Sequence, residues 1–452
     1  MNGLMPSCLI LRYCLAIVVV LGFVRDARAE QSETEAELSS LIRRAQDNPL
    51  ATAAQARTEA AAAQEREIAG KRWATLDAAA FVAPSPRIRC DNIDCTQTSP
   101  RDVTINVAGL AAGINLNLTQ PLYTGGKIHY AREAASAARD AHRALEDDLS
   151  GRVAVMVAKA YYGYLLAQEL LWMLEDGAEH IEGGRKTLEE KLADGDADAT
   201  VQDRFRIQTL QAEVNARIAD AVHAKSIALA SMAALIGDDA AAIKGGLLEP
   251  DAYTLGAGEA AQPADPRLRA AQLGAKAYEA LETLESRSYI PDFALVGGVN
   301  VARAQGVEDP PGVFANDPFN RTSAYVALAA SWTFAPISQA ARVRQKRAQK
   351  REAQANVEAV DRFTKLEHKT AEAQASLAQS RLTALKEGER AGRAWVASVL
   401  QAEAIGAASA KDLADAYLAH FTARAALLES TYAWNLAVIE LRRQAGEFST
   451  KH

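Results

Sequence analysis

The sequence predicts an internally duplicated α+β fold in which very long helices alternate with hairpins of membrane-style strands. Three observations predict it. The chain repeats itself: Asn48-Pro49 answers Asp265-Pro266, and Leu235-Ile236-Gly237 answers Gln444-Ala445-Gly446 at nearly the same separation. Each half holds stretches in which apolar and small or polar residues alternate, the period of a strand with one apolar face. Each of these is followed by a long Ala-rich stretch with few helix breakers. Duplication of a helix–hairpin–helix–helix unit points to copies that serve equivalent positions around an axis.

In chain order, residues 1–29 read as a secretory signal. Arg12 supplies the positive charge, Cys14 to Val24 form a short apolar run, and Ala27-Arg28-Ala29 is a small-x-small cleavage site, which makes Glu30 the mature N-terminus. Nothing small precedes Cys14, so no lipid anchor is expected. After this run no apolar stretch approaches the length of a spanning helix, and spanning helices are not expected. A β-barrel stays open, because its strands leave only a weak hydropathy signal. Lys plus Arg number 50 and Asp plus Glu 57, a net charge of −7. That mild acidity argues against nucleic-acid binding.

Residues 30–74 are Ala-, Glu- and Gln-rich and predict helices, broken where Asn48 caps and Pro49 opens a new first turn. Residues 75–120 predict the first hairpin. Val103, Ile105 and Val107 share one parity and Ile114, Leu116 and Leu118 the other, so a β-bulge is expected around Ala108-Gly109. Cys90 and Cys95 lie in the polar loop at the hairpin tip. In an oxidising compartment they predict a loop-stapling disulfide, and no further ligands stand nearby for a metal.

Residues 121–237 predict a long helix, a turn and a returning helix. Residues 238–265 read as a connector with little regular structure, and 266–288 as the helix that opens the second repeat. Residues 289–335 predict the second hairpin, with Val326, Leu328, Ala330, Trp332 and Phe334 on one face of its return strand and Ala327, Ala329, Ser331 and Thr333 on the other. That alternation suits a barrel wall between lipid and water; a soluble sandwich with one buried face has the same period. Trp332 and Phe334 suit an interfacial aromatic belt. Residues 336–446 predict the second helical hairpin and 447–452 a short tail.

Taken together, these features resemble the TolC-type outer-membrane efflux and secretion ducts over essentially the whole mature chain. The clearest local match is Leu118-Thr-Gln-Pro121-Leu122-Tyr123-Thr-Gly125-Gly126-Lys127, similar to that family's strand-to-helix junction. There a proline and two glycines let the chain swerve. The second junction, Trp332 to Gln339, shifts the proline and lacks both glycines. The resemblance implies a homotrimer whose chains each give four strands to a transmembrane β-barrel of twelve, with a long α-helical barrel in the periplasm. It also implies a passive outer-membrane exit duct for a tripartite efflux or type I secretion system, with a periplasmic adaptor, an inner-membrane transporter and outer-membrane lipid as partners. The turns at 194–198 (Gly195, Asp196) and 406–410 (Gly406, Ser409) are the expected adaptor-docking tips. The competing expectation is a soluble periplasmic coiled-coil adaptor or scaffold.

Sequence inspection finds no catalytic constellation: the seven histidines are scattered without ligand spacing, and no phosphate loop or dinucleotide fingerprint occurs. No enzyme, cofactor or metal is expected. In the resembling ducts two aspartates after the second turn line the periplasmic constriction, and Asp412 and Asp415 match them. Threefold symmetry would make each a ring of carboxylates that favours cations and raises some carboxylate pKa values by mutual repulsion. A solvated helix face beside Lys411 is the plainer reading of the same pair. The first-half turn offers Val201 and Arg204 at that offset, so the rings are expected from the second half alone. Glu403 and Ala408 stand where the family often has an aromatic and a basic residue, so its gate contacts do not carry over.

Overall fold

The computed structural model describes residues 36–90, 103–194, 200–237, 243, 246–255, 265–305, 320–405, 407–408 and 410–448. Helix α1 covers 36–45. The first repeat continues with α2 (Pro49–Gly70), β1 (Thr75–Cys90), β2 (Val103–Tyr123), α3 (Lys127–Ala193) and α4 (Val201–Ile236). The second consists of α5 (Pro266–Ser286), β3 (Asp292–Ala304), β4 (Arg321–Ser331), α6 (Pro336–Ala404) and α7 (Ala410–Gln444). The chain divides into two compact units, one built from residues through Ala56 with Ala144–Arg269 and Ala359 onward, the other from Arg57–Arg143 and Ala270–Glu358.

The second unit holds a four-stranded antiparallel sheet in the order β1-β2-β3-β4. Its register places Leu76, Ala78 and Ala80 beside Leu118, Leu116 and Ile114. These face Gly297, Val299 and Val301, which in turn face Val326, Ala324 and Thr322. One apolar face therefore runs across all four strands, and Val326 and Leu328 on it are about three-quarters exposed (77% and 76%). The opposite face carries Asn115, Asn117 and Tyr325, whose hydroxyl donates to Asn117 Oδ1 at 3.3 Å. The expected bulge is present: between Ser85↔Gly109 and Arg87↔Asn106, Val107 and Ala108 oppose the single residue Pro86. Cys90 ends β1, and its expected partner Cys95 lies outside the described residues.

Two expectations about the junctions need correction. The first strand pair does not end at 120. Pro121 is inside β2 opposite Ala294, the register shifts between Pro121 and Tyr123, and the helix starts at Lys127 rather than 121. The swerve is made by Gly125 and Gly126 at φ 61° and 82°, a region L residues avoid. A Cβ on Gly125 would also stand 2.9 Å from Ile290. At the second junction β4 stops at Ser331. There Gln339 replaces the missing glycines. Its buried amide donates to Thr333 O at 2.9 Å and accepts from Ala335 N–H at 3.3 Å, holding a turn whose backbone would otherwise lack partners. Around the sheet, Glu65 on α2 pairs with Arg132 and Arg139 on α3.

In the first unit, Leu38, Leu41, Ile42 and Ala45 of α1 pack with Val153, Val157, Tyr161 and Leu165 of α3, Ala228 and Met232 of α4, and Ile439 of α7. The Tyr161 hydroxyl meets Glu37 at 3.1 Å. Alanines at 371, 375 and 378 of α6 admit Trp434 and Val438 of α7 to a second core. One window of α4 is apolar enough to cross a membrane (mean hydropathy 1.3), contrary to the sequence expectation, because alanine counts as apolar. Its Ala228 and Met232 are in the core.

The described connector residues 246–255 form no helix or strand but are pinned to α7. Trp434 Nε1–H donates to Asp251 O at 2.9 Å, Asn435 bonds Glu249 O and Asp251 N–H at 2.8 Å each, and Arg442 meets Asp251 Oδ1 at 3.0 Å. Nearby, buried Asp148 sits between Arg443 (3.6 Å) and Arg267 (3.7 Å). Burial pushes its carboxyl up, against the pull of these guanidiniums.

Gln339→Leu is expected to destabilise the fold by about 1–3 kcal/mol, the cost of orphaned buried backbone groups. A lowered midpoint of thermal unfolding in detergent checks this; an unchanged midpoint contradicts the role given to the amide.

Candidate functional site

The candidate site is the end of the first unit where α3 gives way to α4 and α6 to α7. Helix α4 starts with a capping box: Thr200 Oγ1 accepts from Asp203 N–H at 3.2 Å and Asp203 Oδ2 accepts from Thr200 N–H at 3.1 Å. On α3, Arg185 holds the Glu182 carboxyl down to about 2, and Gln211 of α4 reaches Glu182 at 3.4 Å. Val396 and Val399 of α6 pack on Ala416 of α7, with Ala408, Leu413 and Tyr417 around them.

Asp412 and Asp415 stand in the first turns of α7. Asp412 is exposed and already has a polar partner. Asp415 Oδ1 accepts from Arg206 Nη2 of α4 at 2.7 Å, with both side chains about half exposed. The first half thus adds a guanidinium at this level, two residues beyond Arg204. Local spacing gave no signal of the pair, whose partners are far apart in sequence. Gly195, Asp196, Gly406 and Ser409 lie outside the described residues. Pro121, Gly125 and Gly126 belong to the sheet unit described above.

Sequence reasoning missed an aromatic cleft of about 260 Å³ walled by α3, α6 and α7. Trp172 lies under Arg424, 5.3 Å from the ring centre. Tyr417 stacks on Phe421 and meets His180, with centroids 6.0 and 5.4 Å apart. Two glycines let α7 come this close. A Cβ on Gly177 would stand 3.2 Å from the Phe421 ring, and one on Gly392 would stand 3.1 Å from the His420 backbone. His420 Nδ1 is buried without a hydrogen-bond partner. Burial lowers the His420 pKa; Glu389 opposes this, and Arg424 and Arg393 add to it.

The described residues contain no group of His, Cys, Asp or Glu able to hold a metal ion. The arrangement offers charge and shape: carboxylates at a helix start, a guanidinium across from one of them, and a packed aromatic wall.

Residues 258–447 match the model of the outer membrane efflux protein family. The match covers most of the second half of the chain. The likeness in fold spans the whole chain. A membrane protein from Pseudomonas aeruginosa superposes with a TM-score of 0.75 at 19% identity, over 91% of this chain and 93% of that one. The outer membrane protein VceC from Vibrio cholerae gives 0.72 at 18%, over 91% and 96%. The Campylobacter jejuni CmeC outer membrane channel gives 0.74 at 14%, over 92% and 87%. No curated protein sequence matches the chain. The fold is that of the TolC-type outer-membrane efflux channels, with the duplicated helical hairpins and paired strand hairpins of that family.

The neutral imidazole of His420 is the form the fold prefers. The unfolded chain takes up a proton near its ordinary value, about 6.5, and the folded one does so only lower. The fold's advantage is therefore complete above that value and is lost as pH falls through the window beneath it. Thermal midpoints of wild type and His420→Gln, read from about pH 7 to about pH 5, are expected to show the shallower loss in the variant. Equal slopes contradict it.

Proposed function

We propose that the protein is a passive exit duct of the outer membrane, assembled as a homotrimer. It receives cargo through a periplasmic adaptor from an inner-membrane transporter, in a tripartite efflux or type I secretion system. One observation carries the reading. A four-stranded sheet with an exposed apolar face and two open edges belongs to a chain most of whose second half matches the outer membrane efflux protein family. Open edges cannot face lipid, so other copies must complete the sheet. A soluble periplasmic adaptor would leave that apolar face without purpose. The energy for transport comes from the partner in the inner membrane, and the duct itself needs no cofactor.

In this reading Asp412 and Asp415 line the periplasmic constriction, each as a ring of three. The rings differ in strength: Arg206 compensates part of the Asp415 charge, a contrast supported by the 2.7 Å pair. The turns at 194–198 and 406–410 are the proposed docking tips for the adaptor's helices. The sheet rests in outer-membrane lipid.

Planar-bilayer recordings test the constriction with variants of opposite sign. Asp412→Asn plus Asp415→Asn is expected to bring the cation-to-anion permeability ratio down toward one. Arg206→Ala is expected to raise it, because an uncompensated carboxylate attracts more cations. Ratios unchanged in both variants overturn the assignment of the pair to the pore.

A further inference from the structure

Cations and aromatic rings meet at each junction between sheet and helices. Before β1, Arg72 lies 5.0 Å from the centre of the exposed Trp73 ring. After β2, Tyr123 is followed by Lys127, bound to Asp292 at 2.9 Å. Before β3, Arg287 stands 4.9 Å from the centre of the Tyr130 ring. After β4, Trp332 and Phe334 meet edge to face at 5.5 Å, and α6 begins.

This last junction has a charge pattern unlike the others. Arg342, Arg344, Lys346, Arg347, Lys350 and Arg351 follow one another with no acid among them until Glu352. Four of these cations have partners inside the unit. Arg342 meets Glu285 at 2.7 Å, Arg347 meets Glu282 at 3.0 Å, and Lys350 meets Glu279 at 2.9 Å and Glu282 at 3.3 Å, all on α5. Lys346 donates to Gln349 at 3.2 Å. Arg344 and Arg351 are exposed, and among the described residues no ion pair or hydrogen bond engages either guanidinium.

These two arginines share a helix face, being seven residues apart, and Ile337 lies on the same face seven residues before Arg344. Ile337 is 88% exposed. The stripe thus starts apolar beside the aromatic end of β4 and turns cationic as it leaves. At about 1.5 Å per residue, Arg344 lies roughly 10 Å and Arg351 roughly 21 Å along α6 from Ile337. The headgroup layer on one side of a bilayer is about 5–8 Å deep, and charge acts over about 8 Å beyond it at physiological salt. Arg344 falls within that reach, and Arg351, about 5 Å beyond it, feels only the screened remainder of the surface field. A guanidinium keeps its charge at any physiological pH, and its planar fork matches phosphate oxygens.

We infer that the Ile337–Arg344–Arg351 face of α6 binds the phosphate groups of anionic glycerophospholipids in the leaflet that borders the periplasm. The inference rests on the outer-membrane reading. Charge complementarity and continuity with the apolar sheet face choose this occupant: Trp332 and Phe334 follow directly on β4 and are exposed, as Val326 and Leu328 are. Arg344 contributes about fivefold to the preference for an anionic surface, and Arg351, farther out, contributes less.

The test is lipid retention by the full-length mature protein in neutral detergent, counted by native mass spectrometry with phosphatidylglycerol or phosphatidylcholine of the same acyl chains. Wild type is expected to retain phosphatidylglycerol about tenfold or more over phosphatidylcholine, with the preference falling as salt rises. Arg344→Gln plus Arg351→Gln is expected to lose most of it, while Arg390→Gln, an exposed arginine elsewhere on α6, keeps it. Arg344→Lys plus Arg351→Lys, which retains the charge, keeps the greater part. Equal retention of the two lipids by wild type overturns the inference, as does full preference in the double glutamine variant. A variant that leaves lipid retention alone and shifts the ion selectivity of the channel also overturns it, because the stripe then faces the pore. Failure of the duct reading looks different: wild type gives no channel current and retains neither lipid.

Discussion

An unpaired strand edge cannot exist in hydrocarbon, and the architecture of this chain depends on that constraint. Each backbone N–H or C=O without a partner there costs several kcal/mol. The sheet offers two such edges, on β1 and β4, beside an apolar face that nothing among the described residues covers. The two needs are met together when other copies pair with the edges and lipid covers the face. In the proposed duct each helix–hairpin–helix–helix repeat takes an equivalent place, the use to which a duplicated unit is suited.

Helix packing in the first unit uses small residues for close approach. Ala371, Ala375 and Ala378 receive Trp434 and Val438, and Gly177 and Gly392 receive Phe421 and His420. The large side chains on α7 therefore act as knobs against α3 and α6, and the aromatic cleft is the space left among them. Several polar groups within this packing pair with one another. The connector satisfies its backbone on Asn435 and Trp434, and Asp148 sits among Arg152, Arg267 and Arg443. Replacing one partner of such a buried set leaves the others uncompensated, so it orders the surrounding helices as much as it stabilises them.

Features carried by short-range pattern were legible in the sequence. The alternation through Val326 and Leu328 marked the strand face, the parity change near Gly109 marked the bulge, and Asn48-Pro49 marked the start of α2, where Asn48 Oδ1 accepts from Ala51 N–H at 2.8 Å. Features that depend on which distant residues meet were not legible. Arg206 gave no local sign that it would face Asp415, and Gln339 read as an ordinary residue of a helix start until the turn around it was seen. Tyr417, His420 and Phe421 matched helical spacing, but their cleft needs α3 and α6 for its other walls. At the first junction Pro121 reads as already past the strand, yet a proline that gives up one ladder hydrogen bond is tolerated beside a register shift, and β2 continues to Tyr123.

Closure of the sheet by other copies of the chain is most directly tested by the mass of the mature protein extracted from outer membranes, measured by light scattering with the detergent contribution subtracted. The account predicts three chains in one particle that requires detergent to stay in solution. A single chain that remains soluble without detergent would contradict it.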